Sequence, residues 1–153
     1  MNIDHLPMPD YGWGYMPPQE DIYDIFRVCQ SQWQPKCVLE IGFHIGHSTT
    51  YQLETYSNTT RIIGISPDNE HVGKKDNSDV ISPELRRFMA RTLTRKYDGR
   101  FEWIPGRTRA VLPTLVRRDF PFDFCLLDGN HSTPAALIDF EACVTLNIPR
   151  ILI

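Results

Sequence analysis

The stretch CVLEIGFHIGHSTTYQLE, residues 37–54, decides the fold. It opens with a short apolar run, which predicts a buried strand at 37–42, and it continues with a helical pattern over 48–55. Gly42 and Gly46 lie between these elements, where they favour a tight turn because glycine adopts backbone conformations that other residues avoid. A strand, a tight turn and a helix in this order are typical of a parallel sheet, whose strands are joined by helical crossovers.

The remaining chain repeats this alternation. Helical spacing of apolar residues predicts three more long helices, at 19–33, 82–97 and 134–146, and a short helical stretch at 108–118 that is broken by Pro113. Within 82–97 we expect Ser82 as the N-cap and an apolar face formed by Leu85, Phe88, Met89 and Leu93. Short apolar runs predict further strands at 61–66, 100–105, 122–128 and 148–153. The pattern predicts an α/β, Rossmann-like three-layer sandwich with a mostly parallel sheet of about five strands.

The 153 residues fit one domain, which we place at 20–153. Residues 1–19 are rich in proline, glycine and aromatic residues and predict an irregular N-terminal arm. Its side chains Tyr11, Trp13 and Tyr15 either fold over a pocket as a lid or pack against the sheet edge, and the sequence does not choose between these. A polar loop is expected at 67–82.

The charge distribution is uneven. The net charge of −3 gives no general attraction to nucleic acid, so nucleic acid is not an expected partner. Ten of the sixteen Lys and Arg residues nevertheless lie between Glu84 and Arg118. We interpret most of them as a solvated helix face, with a nucleic-acid-directed enzyme as the third-ranked hypothesis.

The cysteines and the apolar runs indicate the cellular compartment that we expect for the protein. Cys29, Cys37, Cys125 and Cys143 are far apart, without the CxxC spacing of a zinc site. The N-terminus lacks the pattern of a signal peptide, and no apolar run approaches the ~18 residues of a membrane span. We therefore expect a cytoplasmic protein without a membrane partner.

The turn at 40–47 is the candidate binding site, because ligands of such sheets bind outside the carboxyl ends of the strands. The amide groups at the start of the following helix favour an anionic or polar group. A P-loop is excluded because GK[ST] is absent, and the dinucleotide fingerprint is excluded because His44 and His47 occupy two of its glycine positions. The remaining pattern is E-x-G-x-x-x-G, and a tight turn without a ligand stays open.

VLEIGFHIGHSTT resembles the first motif of the class I S-adenosylmethionine (SAM)-dependent methyltransferases. RIIGISPDN, RFEWIPGRTRAVLP and FDFCLLDGNHSTPAALIDFE are similar to the later motifs in the same order, the last being most like the small-molecule O-methyltransferase branch. The resemblance covers about residues 20–153 and implies the strand order 3-2-1-4-5. It also implies SAM as cofactor and methyl transfer to an oxygen or nitrogen atom of a small-molecule acceptor.

The resemblance assigns roles to particular residues. It implies cofactor binding by Glu40, Gly42, His44, Gly46 and Asp128, with Ser66 or Asp68 at the ribose. Three positions depart from the family pattern: Ser66 replaces an acid, Arg107 follows the third strand where an acidic or neutral polar group is common, and His44 replaces a glycine.

His131 is the candidate general base, since its side chain titrates near neutral pH. Strand four is expected beside strand one, so that Asp128 and His131 converge with His44 and His47. The same cluster could instead hold a divalent metal, or DGNHST could be only a loop sequence. We predict no metal ligand.

The chain ends within the fifth predicted strand, whereas resembling enzymes continue with two more strands. Either the sequence is a fragment or the fifth strand is an open sheet edge, which invites pairing with a second copy. A homo-oligomer through this edge is therefore an expectation. The alternative function is a catalytically inactive methyltransferase-fold module for binding or assembly.

Overall fold

The structure, a computed structural model, describes residues 19–68 and 82–153. Tyr11, Trp13 and Tyr15 of the predicted arm, and most of the predicted polar loop, lie outside the described residues. Five helices and five strands alternate along the rest of the chain. The helices are α1 Gln19–Trp33, α2 His47–Thr55, α3 Pro83–Lys96, α4 Thr108–Arg118 and α5 Thr133–Thr145. The strands are β1 Cys37–Ile41, β2 Arg61–Ser66, β3 Phe101–Pro105, β4 Phe124–Leu127 and β5 Ile151–Leu152.

The five strands form one parallel sheet in the order β3-β2-β1-β4-β5. The predicted α/β Rossmann-like fold and its strand order are therefore confirmed. Strand β1 is central and fully buried, with β2 and β4 on either side. The carboxyl ends of β1, β2 and β4 consequently meet at the same edge of the sheet.

Helices cover both faces of the sheet. Helices α1, α2 and α3 pack on one face, in a cluster that contains Phe26, Leu53 and Leu93. Helices α4 and α5 pack on the other face, in a cluster that contains Leu115 and Cys143. No helix within 19–68 and 82–153 is both long and apolar enough to cross a membrane.

Two local predictions are wrong. Helix α4 runs through Pro113 in one piece. The proline removes one backbone hydrogen bond, to the carbonyl of Arg109, and Arg109 is exposed, so water can replace the missing donor. Strand β4 begins at Phe124 rather than at residue 122. Its neighbour Asp123 instead accepts hydrogen bonds from the backbone amides of Lys36 and Cys37 at 3.0 Å.

The buried face of α3 also differs from the prediction. Ser82 is the N-cap as predicted, and its hydroxyl accepts a hydrogen bond from the Leu85 amide at 3.1 Å. The buried positions, however, are Arg86, Ala90 and Leu93, whereas Phe88 is 46% exposed. The prediction was right for Leu93 and wrong for Phe88, because it followed the apolar residues and placed Arg86 among the solvated arginines.

Arg86 is only 1% exposed and connects two loops at the carboxyl edge of the sheet. Its Nε donates a hydrogen bond to the His44 carbonyl at 3.0 Å. One of its terminal nitrogens donates to the carbonyl of Pro67. The guanidinium therefore holds the turn after β1 against the loop after β2.

We expect Arg86→Met to destabilise the protein by roughly 2–5 kcal/mol, because two buried carbonyl groups lose their donor and each such loss costs about 1–3 kcal/mol. Urea unfolding measures this change. Arg91→Met, one turn further along the exposed face of α3, is the matched control and should change stability by less than about 0.5 kcal/mol. Equal effects of the two substitutions would contradict the assigned role of Arg86.

Candidate functional site at the carboxyl edge of the sheet

The turn between β1 and α2 has three residues in the left-handed backbone region. Gly42 has φ 113°, His44 has φ 49° and Gly46 has φ 88°. Glycine adopts these angles at little cost, but a residue with a Cβ atom is strained there. His44 therefore occupies a position whose backbone suits glycine, and its carbonyl is held by Arg86.

Gly42 is required by the contact between β1 and β4. A Cβ atom at this position would lie 1.9 Å from the carbonyl oxygen of Asp128. The Asp128 amide donates to the Ile41 carbonyl at 2.8 Å, which holds β4 beside β1, and the Gly42 amide donates to the Ile65 carbonyl of β2 at 2.9 Å, which holds Gly42 in place. The first glycine of the motif is thus explained by packing of the sheet.

Gly46 is also enclosed by the protein. A Cβ atom there would lie 2.6 Å from Leu93 Cδ1 and 2.7 Å from Phe43 Cε2. Gly46 is the N-cap of α2 and provides no side-chain cap for the helix. The amide groups of the first turn of α2 therefore have no cap from this position, and they face the carboxyl edge of the sheet.

Glu40 is fully buried beneath α2. One of its oxygens accepts a hydrogen bond from the Ser48 hydroxyl, and the other accepts one from the Thr49 hydroxyl at 2.5 Å. Burial raises the pKa of Glu40 to about 7, although the two hydroxyls oppose this shift. Both oxygens are thus engaged within the protein, where they fix the start of α2 on β1.

The two ribose candidates at the end of β2 differ in availability. Ser66 is buried, and its hydroxyl accepts a hydrogen bond from the Trp103 indole at 3.1 Å. One oxygen of Asp68 accepts a hydrogen bond from Arg87 Nε at 3.1 Å, and its other oxygen is buried without a partner. An unpartnered carboxylate oxygen is costly, so a donor that reached this buried oxygen would stabilise it, since no residue within 19–68 and 82–153 bonds to it, whereas the Ser66 hydroxyl is already used by Trp103.

Asp128 and His131 lie together after β4. His131 Nε2 is 3.8 Å from Asp128 Oδ1, with side-chain exposures of 85% and 52%. Loss of water around the carboxylate raises the pKa of Asp128, and the neighbouring His131 opposes this shift. Both side chains can therefore reach a ligand from solvent.

His44 and His47 form a second pair, on the β1 side of the edge. Burial lowers the pKa of His44 to about 4, helped by the nearby charges of Arg86 and His47. Burial also lowers the pKa of His47, whose Nε2 is buried without a partner. Both imidazoles are consequently neutral at pH 7. Across 19–68 and 82–153, no three His, Cys, Asp or Glu side chains are grouped so that they could hold a metal ion.

Sequence reasoning missed Arg86 and Asp139 at this edge. Asp139 on α5 is buried, and its Oδ2 would lie 2.9 Å from a Cβ atom at Gly129, so it packs against the loop that carries Asp128. Helical spacing could have revealed the burial of Arg86, because Arg86 lies on the same buried stripe of α3 as Ala90 and Leu93. A charged residue in an otherwise buried stripe indicates a specific partner.

The family comparison agrees with this architecture. A family described as "Methyltransferase domain" matches residues 39–151. The chain belongs to this methyltransferase family. The match includes β1, the turn, β2 and β4, and so covers every element of the candidate site. No curated protein sequence matches the chain.

Solved structures share the fold of this methyltransferase domain. An O-methyltransferase from Bacillus cereus in complex with SAH has a TM-score of 0.62 and 17% identity, over 90% of this chain and 55% of that one. An O-methyltransferase of tomaymycin synthesis from Streptomyces achromogenes, in complex with SAM, has a TM-score of 0.62 and 20% identity, over 90% and 53%. A SAH-bound methyltransferase from Podospora anserina has a TM-score of 0.57 and 19% identity, over 87% and 49%. The chain thus spans about half the length of these structures.

Gly42→Ala should destabilise the domain by more than about 3 kcal/mol, because overpacking and an unfavourable φ act together. Gly99→Ala is the matched control. Gly99 also has a positive φ, 75°, but nothing lies within 4 Å of its Cβ position. We therefore expect a loss of about 1 kcal/mol for the control. Thermal and urea unfolding report both values, and similar losses would show that the contact with Asp128 is not the constraint.

Glu40 gives a prediction for pH dependence. Its folded pKa of about 7 lies above the ordinary value of 4.5, so the folded state binds the proton more tightly. The stability that Glu40 contributes is therefore present below pH 4.5 and is lost as the pH rises towards 7. Glu40→Gln removes this dependence of stability on pH. The free energy of unfolding of the variant, relative to that of wild type, should therefore rise by about 3 kcal/mol between pH 5 and pH 8.

Urea unfolding at the two pH values measures the difference for Glu40. Glu141→Gln, the same chemical change on the exposed side of α5, should leave the difference from wild type constant. A constant difference for Glu40→Gln as well would mean that the buried carboxyl group does not titrate in this range.

Proposed function

We propose that this domain binds SAM across the carboxyl ends of β1, β2 and β4 and supports methyl transfer to an oxygen or nitrogen atom of a small molecule. The observation that carries the proposal is the unpartnered oxygen of Asp68. It lies one residue from Pro67, whose carbonyl shares the Arg86 guanidinium with the turn before α2. Through Arg86, the Asp68 carboxylate, which can accept a hydrogen bond from a hydroxyl group, is thus connected to the start of α2, whose first amide groups have no side-chain cap from Gly46.

These groups suit the two ends of SAM in different ways. Amide groups at the start of α2 suit its carboxylate, since a helix N-terminus favours negative charge. The free oxygen of Asp68 suits a ribose hydroxyl, which donates a hydrogen bond. Asp128 suits the positively charged end of the molecule. Glu40, Gly42 and Gly46 would act indirectly, since each shapes the turn from within the protein.

When bound, SAM supplies an activated methyl group. The chain's own contribution to the reaction would come from His131 and Asp128. The His131 imidazole is exposed and can accept a proton from the hydroxyl or amine of the acceptor. Asp128, 3.8 Å away, stabilises the imidazolium that results. Such transfer depends mainly on alignment of the acceptor with the methyl group, which the rigid ends of β1 and β4 favour.

The family and the solved structures support this proposal. Two of the structures are named O-methyltransferases, and three carry SAM or SAH. The small-molecule acceptor is our proposal from this likeness. His44 is neutral at pH 7 because burial holds its pKa near 4, so it would not repel the positive sulfur of the cofactor.

A noncatalytic binding or assembly module is the second candidate function. Apolar side chains on α5 stay exposed, with Leu137 at 58%, Phe140 at 45% and Val144 at 59%. They lie towards the side of the sheet where β5 is the edge strand among the described residues, next to β4. A homo-oligomer through this edge remains a proposal. A folded chain that gives no heat with SAM but scatters light as a dimer would favour it.

Calorimetric titration with SAM and with its demethylated product tests the first proposal, and we expect micromolar binding. Asp68→Asn should weaken binding by at least about tenfold, because a hydrogen bond to a charged group is worth about 1.5–3 kcal/mol. Ser66→Ala should leave binding nearly unchanged, since its hydroxyl is used by Trp103.

Arg87→Met is the matched control for Asp68→Asn. It removes the same surface ion pair but keeps the carboxylate, and it should change affinity less than about threefold. Weak binding in the Ser66 variant with full binding in the Asp68 variant would reverse the assignment. No binding up to millimolar cofactor by the folded wild-type chain would overturn the proposal.

A further inference from the structure

A groove of about 630 Å³ runs along the outer side of β3 and meets the cofactor site proposed above at Asp68. It extends from Gly99, before β3, to Pro105 and Asp68 at the carboxyl edge. Four arginines line it, and the acidic residues that line it are Asp68 and Glu102. The groove therefore has an excess of positive charge, although the whole chain is negative.

Both acids of the groove are already paired. Asp68 binds Arg87, and Glu102 binds Arg61 at 2.7 Å and Arg118. Arg91 and Arg95 are exposed, and neither forms an ion pair or hydrogen bond with the part of the chain that the structure describes. The excess charge is thus concentrated on these two side chains.

The spacing of the arginines suits a linear anion. Arg87, Arg91 and Arg95 are four residues apart on α3, so they lie on one side of the helix. With a rise of 1.5 Å per residue, neighbouring arginines are separated by about 6 Å along the axis and the row spans about 12 Å. A row of this length matches a ligand with several regularly spaced charges better than it matches one small anion.

The opposite wall of the groove is aromatic and apolar. Trp103 of β3 lines it and is partly exposed, and the buried ring of Phe101 lies at its base. Its ring is held at 5.9 Å from that of Phe43, and its indole nitrogen is bonded to Ser66. The groove thus offers a fixed aromatic surface opposite a row of cations.

The edge of β3 is poorly suited to pairing with an added peptide strand. The Phe101 carbonyl already accepts a hydrogen bond from the Thr94 hydroxyl at 3.0 Å. Pro105 has no amide hydrogen to donate. Few backbone groups of this short strand remain to bind an acidic peptide in the extended form.

We propose that this groove binds a short segment of single-stranded nucleic acid. Arginine side chains bind phosphates in a paired geometry, and exposed aromatic rings stack with bases of any sequence. A positive groove combined with an aromatic surface is the arrangement that such ligands require. The net charge of −3 argued against nucleic acid as a partner, and the arginine-rich segment between Glu84 and Arg118 supported it only as the third-ranked hypothesis, because the net charge averages over surfaces that the fold separates.

Anisotropy of a fluorescein-labelled 12-nucleotide RNA of mixed sequence, titrated with the full chain at several salt concentrations, tests the proposal. Arg91→Ala/Arg95→Ala should weaken binding about tenfold at low salt. It should also reduce the slope of log affinity against log salt by about 1.4, since each phosphate contact on a single strand contributes about 0.7. Neither readout depends on SAM, so the result is independent of the function proposed above.

Arg109→Ala/Arg117→Ala is the charge-matched control, because it removes two exposed arginines from α4 on the other face of the sheet. It should leave affinity and slope nearly unchanged. The proposal would be overturned if the two double variants lost equal affinity, or if the wild-type chain bound no RNA at low salt. It would also be overturned if a polyglutamate peptide of the same charge displaced the RNA as well as unlabelled RNA does.

Discussion

The buried guanidinium of Arg86 is the interaction on which the carboxyl edge of this domain depends. A cation with 1% exposure is stable only if its donors are satisfied. Arg86 satisfies two of them with the carbonyls of His44 and Pro67, and so fixes the loops after β1 and β2 relative to each other. This connection joins His44, with its left-handed backbone, to the loop that carries Asp68.

The motif E-x-G-x-x-x-G describes the architecture of the turn more directly than it describes a ligand. Glu40 holds α2 on β1, Gly42 allows β1 and β4 to touch, and Gly46 admits Phe43 and Leu93. These contacts would exist without a cofactor. In the proposed site, contact with SAM would therefore come from the amides of α2 and from side chains such as Asp68 and Asp128.

The fold could be predicted from the sequence, because apolar runs and helical spacing are local patterns. The parallel direction of the strands follows from the alternation of strands and helices, and the strand order was implied by the family resemblance. The site was predicted only in part. Asp128 and His131 lie together as expected, since they are three residues apart after β4. The use of Ser66 by Trp103 and the burial of Arg86 against His44 depend on contacts across 37 and 42 residues, which no local pattern specifies.

The most direct test of this account is an amide chemical-shift titration of the isotope-labelled chain with S-adenosylhomocysteine, which reports where the ligand binds as well as whether it binds. We expect shifts at the start of α2, at Asp68 and at Asp128–Gly129, with little change at Arg91 and Gly99 in the groove beside β3. Shifts confined to that groove, or no shifts at saturating ligand, would contradict the central claim that the carboxyl edge organised by Arg86 is a cofactor site.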